Sequence, residues 1–155
     1  MAVMHYALSL GSNSGRPKAR VSKAIAALAE SGCEVLALSR LIETRPLGPA
    51  ARNYVNAAAI VATSLAPRPL LRAIKRIESC LGRRPGRRWG DRPIDIDIIL
   101  WSEGAWADRA LTIPHRRFRE RSFVLGPLLE IAPGWRDPVT GLSIRQLTAR
   151  LARPR

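Results

Sequence analysis

Apolar residues change their spacing several times along this chain, and each change marks a new element. Residues 3–10 (VMHYALSL) alternate loosely and stop at Gly11-Ser12-Asn13-Ser14-Gly15, which predicts a strand followed by a turn. Pro17 suits a first helical position, and Val21, Ile25 and Leu28 recur at near-helical spacing before Gly32 closes the segment. Cys33–Thr44 reads as a second strand ending in Arg45-Pro46-Leu47-Gly48-Pro49, a rigid loop because each proline fixes its own φ and restrains the residue before it. Tyr54–Thr63 is a third strand candidate, although its alanines also suit a helix. Pro67 opens a second helix with the stripe Leu70, Leu71, Ile74, Ile77 and Leu81, stopped by Gly82. Residues 93–101 (PIDIDIILW) form the clearest strand. A turn at Thr112-Ile113-Pro114-His115, an apolar run Phe123–Ile131 and a short helix from Ser143 to Leu151 follow. The order β-α-β-β-α-β predicts an α+β fold, a ferredoxin-like βαββαβ core with a C-terminal helical extension. No linker or repeat interrupts it, so residues 1–155 read as one domain.

Charge changes the picture more than composition does. Hydrophobic residues at 46% and charged residues at 25% are ordinary for a folded protein. Cys33 and Cys80 offer no metal spacing and read as reduced core thiols. The N-terminus lacks the basic region of a signal peptide, and no apolar run nears the ~18 residues of a membrane span. A cytoplasmic protein with no membrane partner is the expectation. Against this, 26 basic and 12 acidic residues give +14, almost all of it from arginine. Such a field attracts polyanions: nucleic acid or nucleotide phosphates. A nucleic-acid module is compatible with the charge and the topology, but aromatics are only 5% and no RNA-recognition aromatic motif occurs. Phosphate-bearing small molecules are the better match. Neither a P-loop nor a dinucleotide-binding glycine motif is present, so a nucleotide site has to use other means.

Those means lie between Glu78 and Phe123. Asp95 and Asp97 stand two apart on a strand, hence on one face and roughly 6.6 Å apart along the chain, while Ile94, Ile96 and Ile98 face the core. Two carboxylates on one face repel unless a cation lies between them, and oxygen ligands of this kind suit Mg²⁺, which completes its shell with water and substrate phosphates. Just upstream, the segment from Arg83 to Arg92 holds five arginines in ten residues. Their guanidinium forks match phosphate oxygens, and Trp89 is placed to cover a planar ring. Glu78 opposes the helix dipole in the last turn of the second helix, which points either to another use or to a plain surface glutamate. His115 is able to give a phosphate one hydrogen bond and is equally at home as a structural histidine. Tyr54, Asn56 and Phe123 read individually as two core aromatics and a strand polar group.

These motifs together resemble the 6-hydroxymethyl-7,8-dihydropterin pyrophosphokinases of folate biosynthesis. The resemblance runs from about Tyr6 to Pro133 through Leu10-Gly11-Ser12-Asn13, Thr44-Arg45-Pro46-Leu47-Gly48, Tyr54-Val55-Asn56-Ala57, Arg88-Trp89-Gly90-Asp91-Arg92-Pro93-Ile94-Asp95-Ile96-Asp97, Leu111-Thr112-Ile113-Pro114-His115 and Arg121-Ser122-Phe123. It implies a ferredoxin-like enzyme that moves the β,γ-diphosphate of ATP to the pterin hydroxymethyl oxygen and releases AMP. By the same resemblance, Asp95 and Asp97 would bind two Mg²⁺ ions. No strong general base stands out among the residues, and Asp97 is the candidate acceptor for the hydroxyl proton. Arg83 and Arg92 would clamp the transferred group. His115 and Arg121 would contact the ATP phosphates, and Thr112 and the backbone near Ile98 would hold the nucleoside, with Glu78 also in the ATP set. The pterin would lie between Tyr54 and Phe123, read by Asn56 and the backbone of Thr44 and Leu47, with Asp95 beside it and Trp89 closing over it. A monomer with these two small-molecule substrates is expected. The chain departs from the family at Gly82-Arg83-Arg84-Pro85, where the family pattern is Gly-Arg-x-Arg, so the second loop arginine is either displaced to Arg84 or Arg87 or missing.

Overall fold

Strand β1 (Met4–Ser12) is the centre of the molecule, hydrogen-bonded on both sides. The computed structural model describes residues 2–44, 53–82 and 93–154. The elements that follow β1 are α1 (Pro17–Glu30), β2 (Glu34–Leu38), β3 (Ile42–Thr44), β4 (Tyr54–Thr63), α2 (Pro67–Cys80) and β5 (Asp95–Trp101). The sheet order is β2-β4-β1-β5, with β3 also on β4, and every pairing given is antiparallel. This is the ferredoxin-like topology expected from the element order. A small hairpin of β6 (Trp106–Ala107) and β7 (Thr112–Ile113) follows, then α3 (Ser122–Ile131) and the C-terminal helix α4 (Ile144–Ala152). Among the described residues, no helix is long and apolar enough to cross a membrane.

Both long helices start at the proline the sequence marks, where a missing N–H costs nothing, and each is followed by a glycine at positive φ, Gly32 and Gly82. Helix α4 carries a full capping box, Ser143 with Gln146. The stripe on α2 packs with α1 on one sheet face, around Leu8, Leu10, Val55, Ile96 and Ile98. Helices α3 and α4 cover part of the opposite face, on Ala7, Ala58, Ile99 and Leu100.

Three expectations need correction. The predicted second strand is broken: Ser39 trades hydrogen bonds with Ala58, its N–H donating to the Ala58 carbonyl (2.9 Å) and its hydroxyl accepting from the Ala58 N–H (2.8 Å). That exchange divides Cys33–Thr44 into β2 and β3. The first strand runs on through Gly11 and Ser12 instead of stopping before them. Cys33 is a core thiol whose burial pushes its pKa up, whereas Cys80, at the last turn of α2, is exposed.

Candidate active site

The register across the sheet assembles the acidic site. Gly11 of β1 faces Asn56 of β4 on one side and Asp95 of β5 on the other, and Ser9 likewise faces Ala58 and Asp97. Directly opposed residues of antiparallel strands share a face. Asp95, Asp97, Asn56 and, two residues along, Tyr54 therefore occupy the face that α3 covers only in part. Thr44, exposed at the end of β3, lies opposite Tyr54. Ile94, Ile96 and Ile98 point the other way into the core, as their alternation requires, and both carboxylates are half-buried. Gly11 has no side chain because there is no room for one: a Cβ there would lie 2.9 Å from Asn56 Oδ1 and 3.4 Å from the Tyr54 ring.

A β-bulge divides β5 at this point. Leu8 pairs with Ile98 and Ala7 with Leu100, leaving Ile99 as an extra residue whose carbonyl accepts the His115 N–H at 3.1 Å. That bond seats the 112–115 segment, which contains the cis peptide Ile113–Pro114, against the outer side of β5. On the same side the Ile96 N–H donates to Glu78 Oε2 at 2.9 Å. Glu78 is only 3% exposed, with Lys75 Nζ 3.5 Å from its other oxygen, so it is not the surface glutamate one reading allowed. Its position four residues after Ile74 is the signal: it lies on the buried stripe. By alternation the N–H and carbonyl of Ile98 face outward as well.

Here a cavity of about 500 Å³ opens, lined by Asp97, Ile98, Thr112, His115 and Arg121. Lys75, Arg109, Arg116 and Arg117 share its wall. Sequence reasoning assigned none of these four cations to the site, because single exposed bases carry little signal in a chain with 26 of them. Burial holds the His115 pKa below its ordinary value; Asp97 pulls it up, while Arg121 and Arg117 push it down further. Its Nδ1 accepts the Arg117 N–H at 3.2 Å, so the neutral ring carries its proton on Nε2 and presents a donor. Arg121 lies over the Phe123 ring, 5.6 Å from its centroid. Phe123 is 44% exposed at the start of α3, a shelf rather than the core aromatic expected, and Tyr54 is half-buried.

The structure thus brings Asp97, Ile98, Thr112, His115 and Arg121 to one cavity, with Glu78 behind it. Asp95, Asn56, Tyr54 and Thr44 lie along the adjoining sheet face. Leu47, Arg83, Arg84, Arg87, Trp89 and Arg92 lie outside the described residues. Among the described residues no three His, Cys, Asp or Glu side chains form a ready-made metal cage. The donor set is the carboxylate pair, which fits Mg²⁺ completed by water and phosphate oxygens.

Fold and site define a class: a ferredoxin-like α+β enzyme with a cation-lined cavity beside an acidic strand. The sequence matches the family described as 7,8-dihydro-6-hydroxymethylpterin-pyrophosphokinase over residues 7–133, and the chain belongs to that family. It is 41% identical over 146 residues to the 2-amino-4-hydroxy-6-hydroxymethyldihydropteridine pyrophosphokinase of Methylorubrum extorquens, covering 93% of this chain and 91% of that one. The Haemophilus influenzae protein of the same name is 39% identical over 127 residues, covering 81% and 79%. Among solved structures, wild-type HPPK-DHPS of Plasmodium falciparum superimposes with a TM-score of 0.77 at 16% identity, a likeness of fold. It covers 96% of this chain, which spans less than half, 45%, of that longer one.

Proposed function

We propose that this chain transfers the β,γ-diphosphate of ATP to the hydroxymethyl group of 6-hydroxymethyl-7,8-dihydropterin, releasing AMP, as a step of folate synthesis. The hydroxymethyl oxygen attacks the β-phosphorus, the bond from that phosphorus to the bridging α-oxygen breaks, AMP departs with that oxygen, and the hydroxyl proton is lost. The observation that carries the reading is Asp95 and Asp97 on one sheet face, with the Asp97 end opening into a cation-lined cavity, in a chain of this family.

Asp95 and Asp97 would hold two Mg²⁺ ions, which when bound would supply neutralisation of the triphosphate charge. Asp97, half-buried next to the reacting centre, is the candidate acceptor of the hydroxyl proton. His115 donates from Nε2 to a phosphate oxygen, and Arg121 adds a charged fork. Thr112 and the outward backbone of Ile98 take the nucleoside. Glu78 acts from behind, fixing the Ile96 amide between the two aspartates. The pterin ring lies along the sheet face between Tyr54 and Phe123, its edge read by Asn56 and Thr44. Arg83, Arg92, Leu47 and Trp89 keep the roles that the family resemblance implies. Positioning and charge neutralisation dominate phosphoryl transfer, and this site is rich in both. We take the protein to be a cytoplasmic, monomeric, single-domain enzyme with no nucleic-acid partner.

The test is product identity. Purified protein given ATP, MgCl₂ and the dihydropterin should release AMP and the pterin diphosphate, and chelation with EDTA should abolish both. ADP in place of AMP would sink the reaction assigned here; full activity in EDTA would remove the metals.

A further inference from the structure

Asp108 plays no part in the chemistry above, yet its carboxylate is among the most heavily engaged in the described structure. Its Oδ1 accepts the N–H groups of Ala110 (2.7 Å) and Leu111 (2.9 Å). Its Oδ2 accepts Trp106 Nε1 at 2.8 Å and lies 3.1 Å from a guanidinium nitrogen of Arg68 on α2. Its own N–H closes the turn on the Leu111 carbonyl at 2.9 Å. The hydrogen bond from Trp106, aided by the turn amides and Arg68, brings the carboxyl down to about 2, so it stays ionised at any working pH.

The turn it closes joins β6 to β7, a hairpin of two residues per strand. Two-stranded hairpins are marginal in water even when longer, so this ladder alone does little to fix the turn. Asp108 supplies what the ladder lacks, and Arg68 ties the turn to the rigid start of α2. Asp108 itself and residues 109–112 of that turn and strand line the same cavity as Asp97 and His115.

We propose that Asp108 is a positioning residue for nucleotide binding, holding the 108–112 turn as a preformed wall so that ATP need not order it. The inference rests on the reading of this cavity as the ATP site. Both carboxylate oxygens are required: one serves the turn amides, the other Trp106 and Arg68. Asparagine keeps the first function and loses the second, since its amide nitrogen would face two donors.

Steady-state kinetics on Asp108→Ala, Asp108→Asn and Arg121→Ala, with calorimetric titration of α,β-methylene ATP, test this. Asp108→Ala should raise the KM for ATP and the Kd of the analogue about tenfold, the equivalent of ~1.4 kcal/mol. Asp108→Asn should fall between it and wild type, with kcat and the pterin KM unchanged in both. Should the alanine variant fail to fold, the asparagine variant carries the test alone. Equal losses in kcat and both KM values alongside a lower Tm would mean a purely structural role and overturn the proposal. ATP affinity untouched at Asp108 but weakened by Arg121→Ala would overturn it while leaving the nucleotide site intact. If neither variant alters ATP affinity, the assignment of the cavity falls and the proposal with it.

Discussion

Replacing Gly11 by alanine would separate substrate reading from stability more cleanly than any change to a charged residue. Gly11 is not among the glycines at positive φ, so alanine fits the backbone and gains about 0.4–1 kcal/mol by restricting the unfolded chain. The new methyl carbon would lie 2.9 Å from Asn56 Oδ1, whereas carbon–oxygen contacts settle near 3.3–3.6 Å, so the Asn56 amide must retreat by about 0.5 Å. Overpacking of this kind costs about 1–3 kcal/mol. The gain offsets only part of the cost, leaving a loss of at most ~2.5 kcal/mol and a drop in Tm of no more than about 10 °C in a chain of this length. Catalytic geometry is less forgiving, because a 1 Å misplacement of a positioning group costs up to ~10²-fold. Half that displacement at the pterin edge should raise the pterin KM about tenfold. The ATP KM should not change, since the cavity wall does not include Asn56. The assay is AMP release with each substrate varied at saturation of the other, paired with a thermal melt. An unchanged pterin KM beside a lowered Tm would refute Asn56 as the pterin reader. A parallel rise in the ATP KM would refute the separation of the two halves of the site.

Asp97→Asn should lower kcat by roughly 10²–10³-fold with an unaltered melting curve, and wild-type turnover would remove the carboxylate pair from the mechanism. Phe123→Ala should raise the pterin KM by roughly 10–100-fold, the worth of one stacked ring, while Tm barely moves because this residue is 44% exposed and belongs to neither core cluster. Asp137 is fully buried and grips Arg119 with two hydrogen bonds of 2.6 and 2.8 Å. Burial pushes its carboxyl up, but the Arg119 and Thr140 hydrogen bonds and the Val139 amide outweigh this and bring it down to about 2. A carboxyl depressed from an unfolded value of ~3.9 stabilises the fold fully above about pH 5 and ceases to do so as pH falls toward 2. Urea midpoints should therefore fall more steeply over that window for wild type than for Asp137→Asn. Parallel curves would show that the ion pair carries no such linkage.

What the sequence reveals and what it hides follow from different physics. Strand β5 is legible because strict alternation is itself the instruction that turns Asp95 and Asp97 to one face and three isoleucines to the other. The two long helices are legible because proline and glycine mark their ends. The break at Ser39 is not, since it depends on a serine hydroxyl meeting a backbone amide nineteen residues away in sequence. Nor is the extra residue in Ile98-Ile99-Leu100, three apolar side chains in a row whose register only β1 decides. Cys80 falls within an amphipathic helix but outside its apolar stripe, which is why it is exposed. The cations of the cavity converge from α2, the hairpin and the segment before α3, and no single stretch of sequence contains them together.

The outer side of β5 is blocked along much of its length. An outermost strand normally presents a row of unpaired amides and carbonyls that another chain can zip onto. Here the Ile96 amide is taken by Glu78 and the Ile99 carbonyl by the His115 amide. What remains open between them is the short stretch at Ile98, too short to pair with a strand from a neighbouring molecule. The same two bonds that frame the stretch at Ile98 therefore also leave little of this edge for a second strand to pair with.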